Sequence, residues 1–277
     1  MQEFVLNHEV AIRLGCFFGV FSLMALWEVR APRRRLVMSK RVRWASNLGI
    51  VFLNTLLVRV LFPMAAVGLA MLGEEKGFGI LNNLSLPFSL AVFLSVVAMD
   101  LAIYLQHVAF HAIPALWRLH LVHHADRDFD VTTGGRFHPI EIILSMAIKL
   151  GVVMMLGPPA VAVILFEVLL STTALFNHAN VRLPAPLDRV MRWFVVTPDM
   201  HRVHHSHLAP ETNSNFGFNL PWWDRLFGTY WPQPAEGHEA MTIGLDQFEE
   251  PKCNTLPWML ALPFIGPPGE YPINRRW

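Results

Sequence analysis

The chain carries the pattern His-x-x-His-His twice, at residues 120–124 and 201–205, and a His-x-x-x-His pair at residues 107–111. On an α-helix, positions i, i+3 and i+4 lie on one face, so each pattern can direct several imidazoles to one point. Imidazole is the commonest metal ligand, and this set is too large for one ion but fits two ions with four or five ligands each. The predicted metal ligands are His107, His111, His120, His123, His124, His201, His204 and His205.

The chemistry of these ligands favours a redox metal. Nitrogen donors suit iron, zinc, copper and nickel, whereas a structural zinc site is usually closed, tetrahedral and rich in cysteine. The chain has only Cys16 and Cys253, and neither lies near a histidine pattern. We therefore predict two iron ions, because iron with nitrogen ligands and open positions is suited to O₂ activation. Zinc is the alternative, and we predict no catalytic residue beyond the metal ligands.

Composition indicates a membrane protein. Of the 277 residues, 53% are hydrophobic and 16% are charged, and the mean hydropathy is +0.39. An ordinary soluble domain has about 25% charged residues. The net charge of +1 gives no reason to expect nucleic-acid binding. The sequence has no glycine-rich dinucleotide motif, no P-loop and no Gly-x-Ser-x-Gly, so dinucleotide binding, phosphoryl transfer and serine hydrolysis have no support.

Several apolar runs are long enough to cross or enter a bilayer. The loop after the first run is rich in Arg and has no acidic residue between Val29 and Arg43, so the positive-inside rule places it in the cytoplasm. The polar turn at residues 73–86 is then outside. Two shorter runs meet at Gly157-Pro-Pro, which predicts a hairpin whose arms dip part-way into the membrane or cross it. The runs are 10–27, 45–72 with a bend at Pro63, 87–106, and the hairpin arms 140–156 and 160–176.

This order of spans brings the histidine patterns to one side of the membrane. The third span runs inward and delivers His107 and His111 to the cytoplasmic surface, and the hairpin returns there with His178. We predict an all-α integral membrane protein with three transmembrane helices plus a helical hairpin. A cytosolic helical cap would hold the histidine-rich dimetal site, with the active site on the cytoplasmic face.

Further short motifs accompany the histidines: Arg-Phe-His-Pro-Ile-Glu at 136–141, Asn-His-Ala-Asn at 177–180, His-Arg-Val-His-His-Ser at 201–206 and Trp-Asp-Arg-Leu-Phe-Gly-Thr at 223–229. Together they resemble the membrane fatty acid hydroxylase and sterol desaturase superfamily. The motif at 136–139 resembles the branch that contains alkylglycerol monooxygenase. The resemblance divides the chain into an N-terminal membrane region (1–90), a fatty acid hydroxylase/sterol desaturase-like domain (91–231) and a C-terminal tail (232–277).

The resemblance implies an O₂-dependent di-iron oxidoreductase that hydroxylates or desaturates an unactivated C–H bond of a lipid such as a sterol, fatty acid or ether lipid. It also implies that the patterned histidines are ligands, with His178 as the ninth. Some family members have two histidines near this position, so Asn177 or Asn180 is expected to fill the remaining place. The chain has no flavin, haem or nicotinamide motif, so the electron donor must be external, either a separate reductase or a small reductant such as a pterin. The expected partners are the membrane, the lipid substrate and this donor, and no nucleic acid.

Two polar residues are predicted to assist the ligands. Asp100 lies seven residues before His107 on the same helix face, and a carboxylate inside a span is a functional candidate by default. It would orient an imidazole or pair with Arg59. His138, at the mouth of the hairpin, would be a hydrogen-bond partner of a ligand or a polar group at the substrate entrance, and the alternative is that it completes the metal shell itself. Glu167 is a weaker candidate for the same orienting role.

Asp199 is expected to cap the helix that carries the second His-x-x-His-His pattern, because Asp is favoured at N-cap positions. His207 is expected to be exposed, since it follows that pattern on the opposite helix face.

Two other functions remain open from the sequence. A zinc-dependent membrane hydrolase would need a carboxylate base beside the histidines, and neither His-x-x-His-His pattern contains one. A non-catalytic metal-binding membrane protein, such as a transporter, would place its ligands near the midplane of the bilayer. The histidine patterns fall instead in polar segments at one face.

Overall fold

The computed structural model describes residues 2–265 and 268–273, and all regular elements within them are helices. The predicted all-α class is therefore confirmed. Residues 266–267 and 274–277 of the predicted tail lie outside the described residues. The α-helices are α1 (Gln2–Asn7), α2 (Glu9–Arg30), α3 (Lys40–Leu61), α4 (Ala65–Lys76), α5 (Phe88–Ala112), α6 (Pro114–His124), α7 (Pro139–Leu156), α8 (Ala160–Asn177), α9 (Ala185–Met191), α10 (Pro198–His204), α11 (Ala209–Thr212), α12 (Trp222–Phe227), α13 (Gly237–Ala240) and α14 (Leu256–Ala261). Short 3₁₀ helices span Leu81–Asn83, Thr133–Gly135, Asp246–Phe248, Pro251–Asn254 and Leu262–Phe264.

Among the described residues, five helical segments are long and apolar enough to cross a membrane: α2, the segment Lys40–Asn83, α5, α7 and α8. They expose large apolar side chains such as Phe18, Phe52 and Phe93, which are more than half exposed. A soluble protein would bury such side chains, whereas a helix that faces lipid exposes them. The five segments are those predicted from the apolar runs.

The second apolar run forms two helices. α3 ends at Leu61 and α4 begins at Ala65, with Pro63 between them. Proline lacks the N–H that would continue the helical hydrogen bonds, so the predicted bend is a complete break. α4 continues to Lys76, and the polar turn therefore begins later than residue 73.

The broken helix runs beside α7 along most of its length. The Asn54 amide donates to the carbonyl of Phe137, just before α7 begins (2.9 Å). The Ile80 N–H donates to the carbonyl of Met155, near the end of α7 (3.0 Å). The first turns of α3 therefore lie beyond the start of α7, beside the loop that follows α6.

α7 and α8 form the predicted hairpin. Gly157 connects them with φ +62°, a conformation that favours glycine, and Pro159 precedes the first residue of α8. Each arm has 18 residues, which corresponds to about 27 Å of helix. Each arm is thus long enough to cross the bilayer, which favours the prediction of a full crossing over that of a partial dip.

α5 packs against α6, α7 and α8. It extends through His107 and His111, beyond the predicted end of the third span at residue 106. The ligands at these two positions are therefore held on a rigid helix instead of a loop.

The basic loop between α2 and α3 packs beside the histidine-bearing segments. Pro32 forms an isolated β-bridge with Val181, and the Arg33 N–H donates to the carbonyl of Asn180 (2.8 Å). The loop and the residues that follow His178 consequently lie on the same side of the bundle.

Candidate metal centre

The structure brings the nine predicted ligands together in two groups of buried histidines. Within each group, the candidate ligand atoms lie within 4.8 Å of one another. The five-histidine group consists of His107, His111, His120, His124 and His204. The four-histidine group consists of His123, His178, His201 and His205.

The spacing of the patterns explains this division. Neighbouring positions on a helix point in directions about 100° apart, whereas positions i and i+4 share a face. The adjacent residues His123 and His124 therefore belong to different groups, as do His204 and His205. The rings of His124 and His205 stack at a centroid distance of 4.7 Å, so the two groups are in contact.

The residues at the start of α6 and α10 determine where these two ligand-bearing helices begin. α6 and α10 both begin with a proline, which is favoured at the first helical position. Because Pro198 takes that position in α10, the residue that caps the helix is Thr197, whose side chain accepts from the Met200 N–H (3.4 Å). The prediction that Asp199 is the cap is wrong. Asp199 lies in the first turn and pairs with Arg202.

Hydrogen bonds at Nδ1 orient five of the nine imidazoles. A carbonyl or carboxylate oxygen can only accept, so the ring nitrogen that faces it carries the proton and Nε2 keeps its lone pair. This arrangement is common for histidines that bind metals. The pairs are His107 with the Phe216 carbonyl (2.8 Å), His111 with Asn213 Oδ1 (3.1 Å), His120 with Glu141 Oε1 (2.6 Å), His178 with the Ala174 carbonyl (2.8 Å) and His204 with the Ser214 carbonyl (2.7 Å).

The Nε2 atoms converge to the distances expected of ligands that share an ion. The Nε2 atom of His178 lies 3.2 Å from that of His123 and 3.0 Å from that of His201, and the Nε2 atoms of His107 and His120 are 3.2 Å apart. His107 and His120 both carry their proton on Nδ1, so their Nε2 lone pairs face each other and repel unless a cation lies between or beside them. The residues present therefore fit metal ions.

Unpaired ring nitrogens support the same conclusion. Buried polar atoms normally have a hydrogen-bond partner, yet several nitrogens in both groups have none. A bound metal would satisfy the unpaired nitrogens that face it. The full set of unpaired ring nitrogens in the two groups is His111 Nε2, His123 Nδ1, both nitrogens of His124, His201 Nδ1, His204 Nε2 and both nitrogens of His205.

Burial keeps these imidazoles neutral. It lowers the pKa of His120 and of His178 to about 3, because the charged ring loses its hydration. Burial, and secondarily the neighbouring imidazoles, lower the pKa of the other members outside α5 well below the usual range: His123, His124, His201, His204 and His205. A metal needs unprotonated imidazole, so these side chains are ready to bind near neutral pH.

Asp100 does not contact an imidazole. Its carboxylate accepts from Trp223 Nε1 (2.8 Å) and from the Leu220 N–H (3.3 Å), and it is buried. Arg59, the alternative partner, is exposed on α3. The predicted roles of Asp100 are therefore wrong, and its contacts instead hold the 220–223 turn against α5.

His138 also lies apart from the histidine groups. It precedes α7, where its Nδ1 accepts from the Ile140 N–H (3.2 Å), and its Nε2 lies 3.3 Å from the carbonyl of Leu260. Its contacts thus cap a helix and tie it to the C-terminal segment. The predicted contact with a metal ligand is not found, and His138 does not line the cavity described below.

The remaining candidates have other partners. Asn180 uses both polar atoms of its side chain on Arg34, whose carbonyl accepts from the amide (2.8 Å) and whose N–H donates to Oδ1 (3.1 Å). The Asn177 amide donates to the carbonyl of Phe218 (3.0 Å), whereas its buried Oδ1 has no partner among the described residues, so its role as a ligand stays a prediction. Glu167 pairs with Lys149 and Arg13, and its ion pairs include no imidazole. His207 is only partly exposed and lies 3.1 Å from Asp246.

Two functional neighbours were missed from the sequence. Glu141 contacts His120, and Phe137 stacks on His123 with a centroid distance of 4.4 Å and an interplanar angle of 13°. Both residues belong to the Arg-Phe-His-Pro-Ile-Glu motif at 136–141. The motif therefore indicated residues near the metal ligands. Its histidine, His138, has the side chain most typical of a metal site, yet it is the one that lies outside both histidine groups.

A buried network of charges supports the loop between α6 and α7. The Arg43 guanidinium binds Asp126 (2.7 Å) and Asp130 (2.6 Å), and all three side chains are fully buried. Burial alone would raise the pKa of Asp126, but Arg43 and Arg136 lower it to about 2. Arg136 in turn donates to the carbonyl of Val122 on α6 (2.8 Å). The network fixes α6, and hence its three ligands, relative to α3.

The C-terminal segment covers the five-histidine group. The Ile273 N–H donates to the carbonyl of His111 (2.9 Å), and Tyr271 stacks on Trp117 at a centroid distance of 5.8 Å. Asn213, which contacts His111, also donates to the carbonyl of Tyr271 (2.7 Å). Residues near the end of the described chain therefore help to exclude water from the ligands.

A cavity of about 400 Å³ adjoins the histidines within the bundle. α5, α7 and α8 provide most of its walls, and His107, His120 and His123 lie at one end. Its volume is in the range of small-molecule sites, about 300–1,000 Å³. Its apolar lining includes Ile103, Phe110, Phe137, Ile142, Met146, Leu170 and Phe218. A hydrocarbon chain in this cavity would meet the metal centre directly.

Comparison with known proteins supports this interpretation. The chain is 33% identical to an ornithine lipid hydroxylase from Rhizobium tropici over 56% of its own length and 47% of the relative. It is 29% identical to an alkylglycerol monooxygenase from Xenopus tropicalis (56% and 34%) and 28% identical to a very-long-chain aldehyde decarbonylase from Oryza sativa (58% and 27%). The chain thus matches less than half of each of these relatives, and no solved structure gives a significant match.

The family comparison covers the same region as the metal centre. Residues 92–229 match the fatty acid hydroxylase family model, and this span contains all nine grouped histidines and most of the cavity lining. The geometry and the match agree, and we conclude that the chain belongs to the fatty acid hydroxylase family.

Proposed function

We propose that this protein is an O₂-dependent di-iron membrane oxidoreductase that hydroxylates an unactivated C–H bond of a lipid. Desaturation of the same bond is the alternative outcome. The observation that carries the proposal is the pair of buried histidine groups at the end of a cavity inside a membrane-type helical bundle. The names of the relatives, a lipid hydroxylase and a monooxygenase, agree with this chemistry.

The five- and four-histidine groups would each hold one iron ion, and the iron pair would supply the activation of O₂ for oxidation of the C–H bond. The contribution of the chain is geometric. Acceptors at Nδ1 orient the ligands, and the apolar walls hold a lipid chain beside His107, His120 and His123. Enclosure by α5, α7 and α8 would also keep water away from the reacting carbon.

Electrons would come from a partner, since the sequence has no motif for a flavin, haem or nicotinamide. A separate reductase or a small reductant would act on the side that carries the basic loop, which we propose to be cytoplasmic. The lipid substrate would enter from the bilayer, because the cavity lies within the segments able to cross the membrane.

A zinc-dependent hydrolase is the second candidate, and one observation favours it. Such an enzyme needs a carboxylate base beside its metal ligands. Glu141 contacts His120 and lines the cavity, and its Oε2 has no hydrogen-bond partner within the described residues. We prefer a role for Glu141 in orienting the imidazole of His120 over a role as a base. Its carboxylate contacts Nδ1, the ring nitrogen opposite the one that would bind the metal.

Metal analysis combined with isotope labelling tests the proposal. The protein purified from membranes should contain about two irons per chain, as expected for two groups of this size, and His124→Ala should lose much of that iron. His207→Ala is the matched control, because His207 is outside both groups. Lipids from cells that express the protein should gain heavy oxygen from labelled O₂ only when the histidines are intact. Stoichiometric zinc with hydrolysis of a lipid and no label from O₂ would reject the proposal.

A further inference from the structure

The end of the cavity away from the histidines carries three charged side chains, Arg13, Lys149 and Glu167. They come from α2, α7 and α8, each of which can cross the membrane. Lys149 Nζ lies 2.6 Å from Glu167 Oε1, and the Arg13 guanidinium pairs with Glu167 Oε2. Charged side chains inside a span are costly and by default indicate a functional site. The chemistry proposed for the metal centre makes no use of these three.

The side chains that line this end of the cavity carry more positive than negative charge. Arg13 and Lys149 share the single carboxylate of Glu167, and the Lys149 and Glu167 side chains are only 13% and 10% exposed. Arg13 also pairs through Nε with Glu9 (2.9 Å), but these two side chains are 32% and 29% exposed, and Glu9 does not line the cavity. The cavity wall at this end thus presents two cations and one carboxylate, and an anion would be attracted there.

Polar groups continue from the charged end toward the histidines. The Gln106 amide donates to the Ser145 hydroxyl (3.0 Å), and both residues line the cavity. The Gln106 carbonyl oxygen is buried and accepts no hydrogen bond within the described residues. A cavity for a plain hydrocarbon would not need such groups, because buried polar atoms without partners are unfavourable.

We propose that this cavity binds an anionic amphiphile, with its anionic group at Arg13 and Lys149 and its hydrocarbon chain directed to the histidines. Glu141 and Lys149 are eight residues apart on α7, which sets about 12 Å between the metal end and the cationic end. The carbon presented to the metals would therefore lie at a fixed distance from the anionic group. That this ligand is the substrate rests on the proposed function, but the binding itself does not.

Charge-selective binding distinguishes this proposal from a purely structural ion cluster, which would show no preference among ligands. We would titrate the purified full-length protein, in phosphatidylcholine nanodiscs, with dodecanesulfonate, dodecanol and dodecyltrimethylammonium. These probes share one chain length and carry a fixed charge of −1, 0 or +1. Calorimetry should give an affinity for the sulfonate at least about tenfold above that for the other two, the size of a charge-assisted contact.

Substitutions at the charged end of the cavity test whether the preference for the anionic probe arises there. Lys149→Met should remove the preference for the anion, Lys149→Arg should keep it, and Glu167→Gln should increase it. The matched control is Arg59→Gln, since Arg59 is a cation on a membrane-crossing segment that is exposed and does not line the cavity. Unaltered iron content and melting temperature would show that Lys149→Met is folded.

Equal affinity for the three probes, or an anion preference that survives in folded Lys149→Met, would overturn the proposal. Because the readout is binding rather than turnover, failure of the metal proposal would appear separately, as missing iron or missing oxygen incorporation. Either result is therefore assigned to one proposal only.

Discussion

Glu141 is the residue that most directly controls the direction of one ligand. Its Oε1 lies 2.6 Å from Nδ1 of His120, and both side chains are buried. A carboxylate behind an imidazole fixes the tautomer and makes the opposite nitrogen a better donor to metal. The remaining four acceptors at Nδ1 are neutral oxygens, so Glu141 supplies the strongest of these contacts.

Loss of this contact should weaken metal binding. Glu141→Ala is expected to lower the affinity of the site by about 10–100-fold, as is typical when the partner of a ligating histidine is removed. Glu141→Gln should lose much less, because its amide oxygen can accept the same hydrogen bond. Metal retained against increasing chelator, read by inductively coupled plasma mass spectrometry, gives the comparison. Glu249→Ala, at a side chain 69% exposed, is the control, and equal retention in Glu141→Ala and wild type would contradict the assigned role.

Residue types and spacing predicted eight of the nine grouped histidines, and the family resemblance added His178, but most of the groups that orient the imidazoles could not be predicted. Helical periodicity is local, so it identifies which imidazoles share a face. The acceptors at Nδ1 are mostly backbone carbonyls, such as those of Phe216 and Ser214, and these have no sequence signature. Asp100 has the right spacing from His107, yet its carboxylate is used by Trp223 from a distant turn.

At the scale of elements, the first turn of α3 anchors the loop that follows α6. Arg43 is fully buried and binds both Asp126 and Asp130. Its Nε and Nη2 face the two oxygens of Asp126 at 2.7 and 2.8 Å, a bidentate geometry that only a guanidinium provides. α3 thereby determines where α6 can lie.

Arg43→Met should destabilise the protein strongly. It leaves two carboxylates buried without their cation, and breaking a buried pair in this way costs about 3–5 kcal/mol. Arg43→Lys should recover only part of the loss, because an ammonium cannot make the bidentate contact. Thermal unfolding in detergent measures the effect, and Arg41→Met is the matched control because Arg41 is exposed on the same helix. A melting temperature for Arg43→Met equal to that of Arg41→Met would exclude the anchoring role.

Run length and turn residues predicted the membrane elements well. The hairpin turn at Gly157 and the extents of α7 and α8 follow from two apolar runs separated by glycine and proline. The break at Pro63 is less defined in sequence, because a proline in an apolar run either kinks or ends a helix. Packing of α4 against α7 and α8 selects the complete break here.

At the scale of the whole molecule, one loop relates the metal centre to the membrane. The basic loop bonds to Asn180 through the Arg33 and Arg34 N–H groups, and Asn180 follows His178 by two residues. Loop and metal centre must share a side of the bilayer. Since basic loops are retained in the cytoplasm, the centre is expected to face the cytoplasm. Loop charge and span count alone lead to the same placement, so it could be predicted from the sequence before these contacts were known.

Labelling of single cysteines in intact cells tests the orientation of the whole chain. With Cys16 and Cys253 replaced by Ala, we would introduce Glu75→Cys in the last turn of α4 or Arg35→Cys in the basic loop, both at exposed positions. A membrane-impermeant maleimide should label position 75 in intact cells and position 35 only after the cells are opened, because the bilayer separates the two positions. Labelling of both in opened cells confirms that each thiol is reactive. If position 35 reacts in intact cells and position 75 does not, the orientation is inverted, and any reductant would then have to reach the histidines from outside the cell.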